Sequence, residues 1–261
     1  MTTPDVPLRM ELTFELPGTP EQVWDAIATA NGISAWFIPT DLEPRVGGAV
    51  EFHMGDDSSK GSITDYDAPR RIEYSEPDWA SLGGHEDATV TPLVTEFLVE
   101  ARSGGSCVVR VVGSGFGGKG ADDGWTAALL GLKLYLEHFT GRQAANVLAG
   151  GQVPGPQSRA WEELQAMVGL GELAEGARVT ARADGAPPLS GVIEGMLDTM
   201  VTLRLDEPAP GLAFVGVGGP DDETVFAILR AQYFGPEAAA IAERDEPAWR
   251  SLITERVGVH S

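Results

Sequence analysis

Thr19-Pro20-Glu21-Gln22-Val23-Trp24 reads as the first turn of a helix set directly after a strand. Threonine supplies an N-cap oxygen, proline takes the first helical position where its missing N–H is harmless, and Gln22 closes a capping box. Val23, Trp24 and Ile27 form the apolar stripe. Upstream, Leu8, Met10, Leu12, Phe14 and Leu16 alternate with Arg9, Glu11, Thr13 and Glu15, the period of a half-buried strand. Downstream, the helical stretch is expected to close near Trp36-Phe37. Gly47-Gly48 then starts a strand reaching Met54, followed by strands over Gly61 to Tyr66 and Arg71 to Ser75, a meander broken at Gly55-Asp56-Asp57-Ser58 and at Asp67-Ala68-Pro69. Two longer strands, 91 to 101 and 106 to 114, meet at Ser103-Gly104-Gly105. Trp125, Leu129, Leu132, Leu136 and Phe139 share one face of a last helix, about 120 to 142, which begins near Asp122-Asp123-Gly124-Trp125.

The most tempting local motif lies between strand and helix. Gly113-Ser114-Gly115-Phe116-Gly117-Gly118-Lys119-Gly120 fits a dinucleotide pattern twice, and it fits a phosphate loop except for the final hydroxyl, where Gly120 stands. Two objections weigh against both readings. Asp122 and Asp123 put negative charge where a phosphate needs positive potential, and the helix leads into glycine and proline instead of the parallel strand of a crossover unit. A glycine-rich turn from strand to helix is the reading that remains, and no nucleotide or other cofactor is expected.

Both halves of the chain are acidic, and the formal charge of −21 disfavours nucleic acid and anionic membrane surfaces as partners. The single cysteine, Cys107, sits in the apolar run Cys107 to Val112 and reads as a small core residue. His53, His85, His138 and His260 show no metal-binding spacing, so no metal is expected. With no targeting signature at Met1 to Arg9 and no apolar run of spanning length, the sequence reads as a soluble, cytoplasmic protein.

The composition changes after Arg142. Gly150-Gly151-Gln152-Val153-Pro154-Gly155-Pro156 has no strand pattern and reads as a linker, giving a first domain over 1–145, a Gly/Pro linker over 146–157 and a second domain over 158–261. The second domain echoes the first. Pro156 and Trp161 stand as Pro20 and Trp24 do, Gly191-Val192-Ile193 matches Gly61-Ser62-Ile63, and Asp245-Glu246-Pro247-Ala248-Trp249 matches Asp122-Asp123-Gly124-Trp125. Strands at 200 to 205, 212 to 217 and 224 to 231 and a helix at 236 to 256 complete a shortened copy. An unrelated α+β appendage is the competing reading.

In this order the signals at Thr19 to Trp24, Trp36-Phe37, Gly47-Gly48, Gly115-Phe116 and Asp122 to Trp125 resemble the activator of heat-shock protein 90 ATPase homologue family over residues 8 to 142. That family is a branch of the START-like, or SRPBCC, superfamily. The resemblance implies an α+β helix-grip fold, a curved antiparallel sheet around a long C-terminal helix. It also implies a cavity between helix and sheet, with Phe52, Tyr66, Tyr74, Phe97, Phe116, Trp125, Leu129, Leu132 and His138 as candidate lining residues.

Three functions follow as expectations. The first is a module that binds a small hydrophobic or amphipathic ligand, the scale of site that needs a mostly apolar pocket with few polar groups. The second is an enzyme of the cyclase or dehydratase type on the same cavity, which needs a polar pair inside it; Asp65, Tyr66, Tyr74 and His138 are acid or base candidates without diagnostic spacing. The third, lowest in rank, is a co-regulator of a chaperone ATPase, and a protein partner is not read from the sequence.

Overall fold

The computed structural model describes residues 9–79, 92–114, 119–219 and 225–257. The first half runs β1 (Arg9–Pro17), α1 (Pro20–Ile27), α2 (Ala30–Ser34), β2 (Thr40–Leu42), β3 (Ala49–Met54), β4 (Asp57–Asp67), β5 (Arg71–Glu76), β6 (Leu93–Ala101), β7 (Ser106–Ser114) and α3 (Lys119–His138). Its seven strands form one antiparallel sheet in the order β1-β7-β6-β5-β4-β3-β2. The first strand therefore pairs with the last, and the rest is a meander.

The second half repeats the scheme with one strand fewer. It runs β8 (Ala144–Val153), α4 (Gln157–Val168), β9 (Arg178–Ala181), β10 (Leu189–Leu197), β11 (Met200–Glu207), β12 (Gly211–Gly218), β13 (Val225–Phe234) and α5 (Ala238–Val257). The order β8-β13-β12-β11-β10-β9 is again antiparallel with first strand beside last. The shortened second copy is thus a strand–helix–meander–helix unit like the first, and the chain is a tandem of α+β helix-grip domains.

Local chemistry explains the first turns of the fold. The Thr19 hydroxyl accepts from the Gln22 backbone N–H, and the Gln22 side chain accepts from the Thr19 N–H, the reciprocal box read from the sequence. One helix was expected to continue to Trp36, and the chain instead makes two. The Thr29 hydroxyl donates to the Asp25 carbonyl and accepts from the Gly32 N–H, so it ends α1 and caps α2 in one residue. The turn is tight enough that a Cβ on Gly32 would stand 1.9 Å from the Asp25 carbonyl oxygen, which only glycine avoids. At the β6–β7 hairpin, Gly104 and Gly105 both take positive φ, at 92° and 80°.

Two further expectations are corrected. Residues 146–153 are not linker, because β8 pairs with β13 from Ala144↔Phe234 to Val153↔Val225. Its glycines are accommodated in the sheet, and Gly150 lies close under the Ala227 carbonyl. The grouping of contacts also departs from a cut near residue 145. One compact unit runs to Ile33 and resumes over Pro39–Thr126; the other takes Ser34–Ile38 and the chain from Ala127 onward. The long helix α3 begins in the first unit and continues in the second.

Candidate functional site

In the first unit the alternation of β5 sends Ile72, Tyr74 and Glu76 to the buried face of the sheet. Thr95, Phe97 and Val99 of β6 share that burial, and so do Val50 and Phe52 of β3. Register then builds a continuous aromatic ladder. Phe52 lies 5.3 Å from Tyr74, Tyr74 lies 6.3 Å from Phe97, and Phe97 meets the edge of Trp125 at 5.8 Å. These separations are those of favourable ring pairs. Four of the nine residues singled out by sequence are therefore one contiguous structure.

Of the other five, four are described, and none of those four stands in the ladder. Tyr66 packs edge-on against Trp24 of α1 at 5.2 Å, in the same unit but on a different partner. Leu129 and Leu132 are fully buried and group with the second unit. His138 is exposed at the end of α3, 3.9 Å from Glu137 and edge-on to Phe139, so it lines no interior. Phe116 lies outside the described residues.

A polar pair that sequence reading missed sits at the end of the ladder. Glu76 is 5% exposed, and Ser59 of β4, itself buried, donates its hydroxyl to it in a tight hydrogen bond. Burial raises the Glu76 carboxyl above its ordinary value, and the Ser59 hydrogen bond pulls it partway back. No cation pairs with Glu76 among the described residues. The Tyr74 phenol is raised well above its usual range, by burial first and by the Glu76 charge second. The signal was available in the phase of β5, where Glu76 lies two residues beyond Tyr74 on the apolar side. A glutamate at a strand end reads as a solvent residue unless that phase is followed through.

On the opposite face of the same strands, Asp65 belongs to a different network. Arg71 holds Asp65 in a close ion pair, Glu96 at 2.5 Å and Glu73 at 3.0 Å, three carboxylates around one guanidinium at the partly exposed surface. Asp65 is thereby separated from Tyr74 and Glu76. Cys107 is buried, donates weakly to the Gly18 carbonyl, and is kept protonated by burial, in keeping with a core thiol. No group of three or more metal-ligating side chains occurs among the described residues, and no described helix is long and apolar enough to cross a membrane. Gly115 to Gly118 of the glycine-rich motif lie outside the described residues, and the strand that follows α3, β8, pairs antiparallel with β13, which is not the parallel strand of a crossover unit.

The topology, the ladder and the strand-to-helix order bear on kinship. Residues 17–137 match the model of the Activator of Hsp90 ATPase homolog 1-like protein family. The resemblance read over residues 8 to 142 to this family thus stands. Among solved structures, protein MLL2253 from Mesorhizobium loti is 17% identical, covering 50% of this chain and 98% of its own, with a TM-score of 0.44. The Aha1 dimer from Colwellia psychrerythraea is 18% identical, covering 51% and 99%, with a TM-score of 0.41. The di-domain ARO/CYC BexL from the BE-7585A biosynthetic pathway is 13% identical over 97% of this chain and 99% of its own, with a TM-score of 0.43. No curated protein matches the chain.

In the second unit, one face of the sheet carries a continuous core that includes Val147, Leu164, Leu203, Val215, Leu229, Tyr233, Trp249 and Ile253. The Tyr233 hydroxyl and the Trp249 indole N–H are neighbours there, yet neither reaches a partner with hydrogen-bond geometry. A separate open groove of about 670 Å³ is lined by Arg182, Ala183, Ala186, Pro188, Glu207 and Pro208, none of them a residue singled out by sequence.

The buried acid has a consequence for stability. A carboxyl whose folded value is raised keeps its proton when the unfolded chain has lost it, so stability falls as pH rises from the ordinary carboxylate range, roughly pH 4 to 5, to the raised value. Glu76→Gln removes that loss. Urea unfolding of both proteins between pH 4 and 8 should show a difference that is flat at the acid end and turns against the wild type as pH increases. A difference independent of pH would mean that Glu76 is not held protonated by burial.

Proposed function

We propose that the first unit binds a small hydrophobic or amphipathic molecule against the Phe52–Tyr74–Phe97–Trp125 ladder, with a hydrogen-bonding group of that molecule set toward Ser59, Glu76 and Tyr74. The observation that carries this reading is the buried Ser59–Glu76 pair at the end of an aromatic wall, with no cation beside it. A buried carboxyl without a counter-charge is costly as an anion and serves better as a neutral donor, able to meet a carbonyl or hydroxyl. The rings supply apolar area, and the acid supplies orientation. Membership of residues 17–137 in the family above adds a fold suited to a ligand.

The same pair favours a second reading, an enzyme in which Glu76 acts as general acid or base. A carboxyl tuned upward by burial is the state such chemistry uses, for a gain of roughly 10²–10⁴ in rate. A role at a chaperone ATPase draws no support from the geometry of this interior.

Native mass spectrometry of gently purified protein should retain a small molecule, and the neutral dye Nile red should bind saturably. Phe52→Ala, which opens the ladder at one end, should weaken the dye by roughly tenfold, about 1.4 kcal/mol. Glu76→Gln should leave the dye unchanged and weaken only a ligand with a polar group. Absence of both a retained molecule and saturable dye binding would mean that the ladder is solid core, and would end the proposal.

A further inference from the structure

The sheet of the second unit has another face, and its residues are read off by alternation. Leu229, Ala231 and Tyr233 of β13 point into the core already described, so Arg230 and Gln232 point the other way. Phe214 of β12 stands opposite Arg230 in register on one side, and Leu148 of β8 on the other. The Phe37 ring, from the segment Ser34–Ile38 that groups with this unit, lies 5.2 Å from the Arg230 guanidinium carbon, and the Phe214 ring lies 4.7 Å from it. A guanidinium between two rings is fixed in orientation.

Its edge has no protein partner among the described residues. Arg230 is 7% exposed, yet no carboxylate pairs with it and no acceptor takes its N–H groups among the described residues. This is the reverse of the chain's habit. Arg9, Arg45, Arg70, Arg159 and Arg178 are ion-paired at the exposed surface, where pairing contributes least. Burial lowers the Arg230 value to about 10, so the group is still charged at neutral pH.

An orphaned acceptor lies on the same face. Asn146 of β8 stands opposite Gln232, one step along from the Leu148–Arg230 pair, and its side-chain oxygen is buried without a hydrogen-bond partner. Gln232 donates to the Phe37 carbonyl and satisfies neither. An orphaned acceptor takes a donor, so Asn146 does not hold an anion, and the open donors on this face are those of Arg230.

We propose that this face of the second unit, at Arg230 between Phe37 and Phe214, binds the carboxylate of a small apolar organic acid. The chemistry selects a monoanion: one cation neutralises one charge, the N–H edge matches a planar carboxylate in two parallel bonds, and the flanking rings favour an apolar body. A chain of net charge −21 repels polyanions. The site uses none of the residues of the ladder in the first unit and stands independently of that reading.

Benzoate is the probe, titrated against wild-type protein at constant ionic strength with chloride as the balancing anion. Thermal melting should show a saturable rise with benzoate and none with chloride, and the Arg230 side-chain Nε–H resonance should move along the same isotherm. Arg230→Met, close in length and uncharged, should abolish the rise. Arg230→Lys, which keeps the charge and loses the fork, should weaken it by roughly tenfold or more, and it serves as the test if the methionine variant does not fold. No saturable response in wild type, or an equal response in Arg230→Lys, overturns the proposal. A response in Arg230→Met places benzoate elsewhere and overturns it as well.

Discussion

Trp249→Ala lowers the unfolding free energy of the second unit by about 3–5 kcal/mol, the range for truncating a buried aromatic side chain in a filled core. Trp249 is fully buried and belongs to the core that also contains Leu252, Ile253 and Tyr233. Trp249→Phe should cost far less than the volume change alone suggests. It deletes an indole N–H that is buried without a hydrogen-bond partner, and losing an orphaned donor recovers part of the packing lost. Urea unfolding of both variants checks the ordering. Equal losses for alanine and phenylalanine would mean that the N–H is satisfied and that the indole is held by more than its volume.

Phe97→Ala has a similar expected loss, about 3–5 kcal/mol, in the first unit. Phe97 is 1% exposed and is the rung between Tyr74 and Trp125, so its removal breaks two ring contacts, each adding roughly 0.5–1.5 kcal/mol beyond buried area. Phe97→Leu keeps most of the volume and none of the ring geometry. Differential unfolding of the two should separate area from ring pairing, with leucine recovering more than half of the alanine loss. A leucine variant as unstable as alanine would make ring geometry the main contribution of Phe97.

What the sequence carried about the fold was carried by local pattern. The alternation from Met10 to Leu16, the Thr19–Gln22 box and the glycine hairpin at Gly104-Gly105 all needed only near neighbours, and each stands in the structure. The repeat was legible because Trp24 and Trp161, and Trp125 and Trp249, mark the same helices. β8 was not legible. Ala144, Ala145, Ala149, Gly150 and Gly151 give weak strand preference, and the signal that makes them a strand is the ladder with β13, about eighty residues later. β2 is three residues long and has no period to read.

The site divides on the same physics. Phe52, Tyr74 and Phe97 were found because buried aromatics on consecutive strands announce a shared face. Glu76 and Ser59 were overlooked because residue type suggests solvent for both, while burial of a carboxyl is decided by what surrounds it. Leu129 and Leu132 were assigned to the right helix, and they group with the second unit. Helical periodicity gives the face of α3 and does not say which unit that face serves.

Ser34–Ile38 is made at the start of the chain and groups with residues that follow Ala127, where the Gln232 side chain grips the Phe37 carbonyl and Arg230 lies over the Phe37 ring. During synthesis those five residues leave the ribosome long before β13 exists to receive them. The second unit therefore cannot finish until nearly the whole chain is out, and a gene fragment beginning after the first half would encode its sheet without that segment. A recombination point between the two copies would part the later one from five residues, encoded within the earlier one, with which it groups.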